Sequence, residues 1–183
     1  MHIEEYRSSQ QEEVAALTDS IFGEGFFEGP GDDWRNPDTL ALVAIEDDHV
    51  VGFASGRLLP EHGLAGFLDN QIKDVPADIA EADSKGRLGV IEAVAVALEH
   101  RGEGIGTKLL RVLHDHIVGY GADKLIVTFR QGPSSSRVKD LMERLGYEFW
   151  TSMDSYWKTP GDDGEPGGVE RSGVWEIYRA KVY

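Results

Sequence analysis

The residues best placed to do chemistry fall in one run: Glu92-Ala93-Val94-Ala95-Val96-Ala97-Leu98-Glu99-His100-Arg101-Gly102-Glu103-Gly104-Ile105-Gly106-Thr107-Lys108-Leu109-Leu110. An apolar, strand-like segment passes into a turn with glycine at every second position, and a helical pattern follows. The first amides of a helix lack intrahelical partners and carry the positive end of its dipole. Glycine lets a ligand approach the backbone closely. Phosphate is the natural occupant of such a turn. Two common phosphate loops do not fit. The Walker pattern needs Gly-Lys-Ser/Thr, but Gly106 is followed by Thr107 and only then by Lys108. The dinucleotide pattern needs a third glycine where Thr107 stands.

Glu92 is the second chemical feature, as the only charged residue between Leu88 and Ala97. A charge in a central strand is costly unless it is paired or used. Two readings follow: a working carboxylate, or a structural partner for a buried arginine. Strict alternation would put Glu92 on the face of Val90, Val94 and Val96. Other chemistries are poorly supplied. The chain has no cysteine, which excludes disulfides, thiolate metal sites and a cysteine nucleophile. It has no Gly-x-Ser-x-Gly elbow. The six histidines show no metal spacing, and His114 and His116 do not share a helix face. They read as exposed residues, and no metal is expected.

The pattern that does fit is Arg/Gln-x-x-Gly-x-Gly/Ala, at Arg101 to Gly106, just after the Val94-Ala95-Val96 strand. A later helix ends Leu145-Gly146-Tyr147. In this order these features resemble the GNAT (Gcn5-related N-acetyltransferase) superfamily, and the resemblance covers most of the chain. It implies a GNAT-like α/β fold, a mixed central sheet of about six to seven strands flanked by helices. It implies an acetyl-CoA-dependent N-acetyltransferase acting on a small-molecule or peptide amine by direct transfer. Val94, Ala95 and Val96 would pair with pantetheine, with the Val94 amide serving the oxyanion. Arg101, Gly102, Glu103, Gly104, Ile105, Gly106 and Thr107 would hold the pyrophosphate, and Ser135 would add a hydrogen bond to the cofactor. Glu92 becomes the candidate general base, because a protonated amine is no nucleophile. In two respects the chain departs from the family: Leu98 stands where proline is common, and Met142 stands where a tyrosine often acts as general acid, and a thioether cannot donate a proton. A catalytically silent acyl-CoA sensor and an unrelated anion-binding module are therefore the alternatives.

The positioning elements follow from periodicity. Residues 2–7 suit a short strand. Ser9-Gln10-Gln11-Glu12 has a capping-box pattern before a helix reaching Phe22. Residues 23–37 read as loop, with Phe26, Phe27 and Trp34. Residues 40–45 and 50–59 form a hairpin, separated by Asp47-Asp48-His49. Residues 61–86 read as a polar insertion with a short helix near 77–83. Residues 88–97 suit a central strand buried on both faces. Then come a helix over 104–118, a strand over 124–129 and a helix capped among Ser134, Ser135 and Ser136 and closed by Gly146. Strands over 147–158 and 174–182 complete the chain, around a loop at 159–171. The order is β-α-ββ-β-α-β-α-β-β in a single domain. The acceptor pocket is expected between residues 23–37, the insertion and the closing strands, with Trp150, Tyr156 and Trp157 as further walls.

Composition narrows the setting. The 183 residues carry 33 acids against 18 bases, a formal charge of -15. That balance disfavours nucleic acid and anionic membranes as partners. Only seven of the bases are lysine, which suggests adaptation to high salt. Residues 101–144 run against this trend, with eight basic groups and five acids, as an anionic ligand would require. No apolar run approaches the roughly 20 residues of a membrane span, and the acidic start Met1-His2-Ile3-Glu4-Glu5 is not a signal peptide. The expectation is a cytoplasmic protein, monomer or homodimer.

Overall fold

A computed structural model describes residues 1–23, 39–68, 72–130, 135–158 and 170–181. They form a mixed seven-stranded sheet with flanking helices, as expected. The strands are β1 (His2–Glu5), β2 (Thr39–Glu46), β3 (His49–Leu58), β4 (Leu88–Val96), β5 (Lys124–Arg130), β6 (Tyr147–Lys158) and β7 (Glu170–Lys181). The helices are α1 (Gln11–Phe22), α2 (Leu64–Phe67), α3 (Ala77–Ser84), α4 (Ile105–Gly119) and α5 (Ser135–Arg144). The sheet order is β1-β2-β3-β4-β5-β7-β6. Only β4 and β5 pair in parallel, across the α4 connection; every other neighbour is antiparallel.

Local chemistry explains most boundaries. Asp47 and Asp48 both have positive φ, so the β2–β3 turn needs only these two residues, and His49 joins β3. Such a turn requires left-handed backbone at both central positions, which aspartate tolerates. Ahead of α1 the chain makes a 3-10 turn over Ser8–Gln10. The cap is made there by Gln10, whose Oε1 accepts the Arg7 N–H at 2.7 Å, and not by the expected Ser9 box. Gly146 closes α5 at φ 82, a conformation that glycine supplies without strain. Strand β7 begins at Glu170, four residues before the expected start.

The sheet separates two sets of packing. On one face α4 lays Ile105, Leu109, Leu110, Leu113 and Ile117 against Ile91, Leu125 and Val127, and Met142 of α5 joins them. On the other face α1 covers Val43, Phe53, Ala93 and Ala95 through Val14 and Leu17. The same face continues with α2 and α3, which put Leu64, Leu68, Ile79 and Ala82 against Val90, Ile126 and Ile177. Residues 61–86 are thus no polar appendage: four apolar side chains in an acidic stretch complete the core over β4 and β5. No helix among the described residues is long and apolar enough to cross a membrane.

Candidate functional site

The site is built on an opening in the sheet. The β4–β5 ladder runs from Leu88–Lys124 to Ile91–Val127 and ends there among the described residues. Yet β4 continues to Val96 and β5 to Arg130. Each keeps its outer neighbour: Ala93 to Val96 stay paired with β3, and Thr128 to Arg130 with β7. Between the two strands a cleft opens beyond Ile91 and Val127.

The cause is visible in the β3–β4 register, which shifts between Ser55–Ala93 and Gly56–Ile91. One extra residue, Glu92, sits on β4, a β-bulge that bends the strand and breaks its alternation. Below the bulge, Gly89 and Ile91 face α4: a Cβ on Gly89 would meet Ile117, and Ile91 packs in the α4 cluster. Above it, Val94 and Val96 face α4, with Gly106 against both. Val90 lies on the opposite face, over α3. The expected grouping of Glu92 with Val90, Val94 and Val96 is therefore corrected. Glu92 sides with Val90, because its Oε1 lies 3.0 Å from Nε of Arg57, the cross-strand partner of Val90.

The bulge also decides where the backbone of β4 points. The Ala97 N–H bonds to the Val51 carbonyl at 2.9 Å, so Ala97, Ala95 and Ala93 turn their polar groups toward β3. Val94 and Val96 must then turn theirs to the cleft. One of these groups has a partner: Arg101 Nε donates to the Val96 carbonyl at 3.1 Å. The Val94 N–H and C=O remain directed into the opening.

At the mouth of the cleft lies the glycine turn. Gly102 and Gly104 have φ of 94 and 79, and Gly104 is the N-cap of α4, with no side-chain cap. The first amide to bond back is that of Lys108, to the Gly104 carbonyl at 3.0 Å. From Gly102 to Thr107, no backbone N–H is hydrogen-bonded among the described residues. A cluster of uncapped donors at the positive end of a 15-residue helix is an anion site in waiting. Gly106 lets the helix approach β4: a Cβ there would stand 3.4 Å from Val96 Cγ2.

The charged residues of the turn point away from those amides. Arg101 is tied to Val96. Glu103 Oε2 lies 3.5 Å from His100 Nδ1, which is 3.2 Å from Glu46 Oε2 at the end of β2. His100, with a side chain about one-quarter exposed, is thus covered beside these two carboxylates and is not the exposed histidine expected from sequence. His114 departs in the same way. Half-buried on α4, its Nδ1 lies 2.7 Å from the Tyr147 hydroxyl. Burial pushes the Tyr147 hydroxyl well above its ordinary value and lowers the histidine, so the contact favours a neutral tyrosine beside a neutral imidazole.

Glu92 is the perturbed acid of the site. Burial raises its carboxyl above the usual range, and the nearby Arg57 guanidinium pulls it part of the way back. Met142 is 2% exposed and packed in the core. Tyr178, buried beside stacked Phe129, donates its hydroxyl to Glu176 at 3.0 Å and is pushed up to about 12 by burial and by that carboxylate. Of the expected pocket walls, Trp150 packs beside the α2–α3 cluster. Phe26, Phe27 and Trp34 lie outside the described residues, and so do the side chains of Tyr156 and Trp157. Ser135 opens α5, but its side chain is likewise outside them.

The comparisons agree with this geometry. Residues 4–147 match the model of the Acetyltransferase (GNAT) family. No curated protein sequence matches the chain. Among solved structures, the ribosomal-protein-alanine N-acetyltransferase from Brucella melitensis superposes with a TM-score of 0.63 at 17% identity, over 100% of both chains. The protein yncA from Salmonella typhimurium, solved with its cofactor acetyl-CoA, gives 0.64 at 15% identity, over 100% of this chain and 94% of that one. The ribosomal-protein-S18-alanine N-acetyltransferase from Escherichia coli gives 0.59 at 16%, over 98% and 92%. At these identities the likeness is one of fold.

Proposed function

The chain belongs to the GNAT acetyltransferase family, and on that premise we propose that it transfers an acetyl group from acetyl-CoA directly to a primary amine. The observation that carries this reading is the cleft between β4 and β5. It runs from the uncapped amides of α4, past the inward-turned Val94 N–H, to Glu92 on the opposite face. Two substrates can therefore approach from opposite faces of the sheet and meet in the opening.

Acetyl-CoA is a substrate here, and the residues suit its chemistry. The amides from Gly102 to Thr107 would take the pyrophosphate, and the free edge of β4 at Val94 and Val96 would pair with the pantetheine amides. On the other face Glu92, as carboxylate, takes a proton from the ammonium form of the acceptor. The freed nitrogen attacks the thioester carbon, and the Val94 N–H stabilises the oxyanion. The carbon–sulfur bond then breaks, the nitrogen gives its second proton to solvent as the amide forms, and CoA leaves as thiolate, to be protonated from solvent. A thiol of pKa about 8.5 leaves readily enough for this to proceed without the acid that Met142 cannot be. The raised pKa of Glu92 makes its carboxylate a stronger base than an exposed glutamate.

The chain lacks cysteine, the commonest acyl-enzyme nucleophile, and has no Gly-x-Ser-x-Gly elbow, which favours direct attack by the amine. Direct transfer thus gives intersecting lines when initial rates are plotted against both substrates. The test uses acetyl-CoA with an alanine-initiated peptide, spermidine and an aminoglycoside, following thiol release. Parallel lines together with an acetylated protein by mass spectrometry would overturn direct transfer. Binding of acetyl-CoA without release of thiol to any amine would favour the acyl-CoA sensor, the reading that Met142 supports.

A further inference from the structure

Thr128 is one of three polar or charged residues buried among the described residues, at 8% exposure. Of the other two, Thr18 bonds back to the Val14 carbonyl within α1, and Ser55 lies on β3, away from the β4–β5 opening. The Thr128 hydroxyl makes no hydrogen bond among the described residues. Its oxygen is nonetheless not sealed from solvent, so a hydrogen-bonding partner can reach it from outside.

Its position says which partner. Ile91 and Val127 form the last pair of the β4–β5 ladder. The next position on β4 is Glu92, and the next on β5 is Thr128. They stand on the two lips of the cleft, where it begins to open. They also share a face. Thr128 pairs with Ile177, which packs with Val90 and Ile126 under α2 and α3. Glu92 is turned to that same face by its contact with Arg57. The neighbours of Thr128 along β5, Val127 and Phe129, face the α4 side. So the hydroxyl lies across from the carboxylate, on the side opposite the glycine turn.

Resting on the function proposed above, we infer that Thr128 is an acceptor-binding residue, whose hydroxyl oxygen accepts a hydrogen bond from the same primary amine that Glu92 deprotonates. A carboxylate on one lip and a neutral acceptor on the other hold two of the three N–H groups of an ammonium. When Glu92 has taken one proton, Thr128 still holds the second N–H, and the nitrogen lone pair is left to face the cleft. Threonine suits this task because it orients the amine without competing for its proton.

Thr128→Val removes the hydroxyl at almost constant volume in a strand that favours valine. We expect KM for the acetylated amine of the peptide, spermidine and aminoglycoside panel to rise about ten-fold or more. The Kd of acetyl-CoA by calorimetry should stay within about two-fold, and the melting temperature should hold, since the hydroxyl bonds nothing in the fold. Thr128→Ser, which keeps the oxygen, should restore most of the amine affinity. A merely structural threonine would instead shift the melting temperature and leave the amine KM alone. Unchanged amine kinetics in Thr128→Val overturn the inference, as does an equal loss of acetyl-CoA affinity, which would put the hydroxyl on the cofactor side. Should valine unfold the chain, Thr128→Ala carries the same comparison. A parent protein that neither binds acetyl-CoA nor releases thiol refutes the underlying transferase reading, an outcome visible before any variant is made.

Discussion

Replacing Glu92 with glutamine separates catalysis from structure. The substitution keeps shape and removes only the charge. As carboxylate, Glu92 is the proposed base, and general bases contribute about 10²- to 10⁴-fold. A hundred-fold loss corresponds to about 2.7 kcal/mol of transition-state stabilisation. The structural stake is smaller. Glu92 meets Arg57 at 3.0 Å, but the arginine side chain is 42% exposed, so the pair is worth no more than about 1 kcal/mol. The sign of the linkage works against it as well. Burial raises the folded pKa above the ordinary 4.5, so the group favours folding below that value, and this support is lost as pH rises through the folded pKa. Above its raised folded pKa the ionised carboxylate is therefore a net burden, which glutamine relieves. The expected result is a fall of at least about 100-fold in kcat, with the melting temperature unchanged or slightly higher and acetyl-CoA affinity intact. The rate of the parent should climb with pH through the raised Glu92 pKa, and the variant should lack that limb. Thiol release is a clean assay, because the protein contributes no thiol of its own. A variant that keeps its rate but melts much earlier would show that Glu92 serves Arg57 and nothing else.

Gly104→Asp places a carboxylate among the free amides of the turn. Nothing lies within 4 Å of the new Cβ, so the fold should survive, while CoA affinity by calorimetry drops by about 100-fold or more; Gly104→Asn makes the same left-handed demand without charge and should retain most of it. Tyr147→Phe leaves the half-buried His114 Nδ1 without its hydrogen-bond partner and should cost about 1–2 kcal/mol in a denaturant titration. Because burial lowers the His114 pKa below 6.5, the parent should lose stability as pH falls through the ordinary histidine value, when unfolding gains the proton. With a formal charge of -15, the protein should melt at higher temperature in molar KCl than at low salt, and a flat or falling curve removes the high-salt reading.

The elements were legible in the sequence because each carries its own period. The α4 stripe at Leu109, Leu110, Leu113 and Ile117 is buried as its spacing predicts. The glycine turn was legible for a similar reason: positive φ at Gly102, Gly104 and Gly146 is a demand that residue type advertises. What stayed hidden was tertiary. No local pattern marks Glu92 as a bulge, since Ile91-Glu92-Ala93 reads as ordinary alternation. The contact of His100 with Glu46, 54 positions apart in sequence, has no local trace. Nor has the bond from His114 to Tyr147. Thr128 was overlooked for the same reason: threonine is common in strands, and only the end of the β4–β5 ladder singles it out. The burial of residues 61–86 was missed because their many acids mask a sparse apolar set.

The bulge at Glu92 joins these observations into one device. In a regular strand, residues two apart share a face, so a carboxylate on the face of Val94 and Val96 would lie beside α4 and its anion site. There it would oppose the phosphates of CoA and compete for the same space. Inserting one residue moves the carboxylate to the other face without moving the strand out of the sheet. The same insertion bends β4 away from β5, which frees the Val94 amide. It also aligns that amide with the mouth of α4, because Val94 and Val96 must pack on Gly106. A shorter β4 would lose the edge, and an unbulged one would pair fully with β5 and close the cleft. The proposed base, oxyanion donor and diphosphate site would therefore all be positioned by a single irregularity in β4, which the apolar strands around it hold in place.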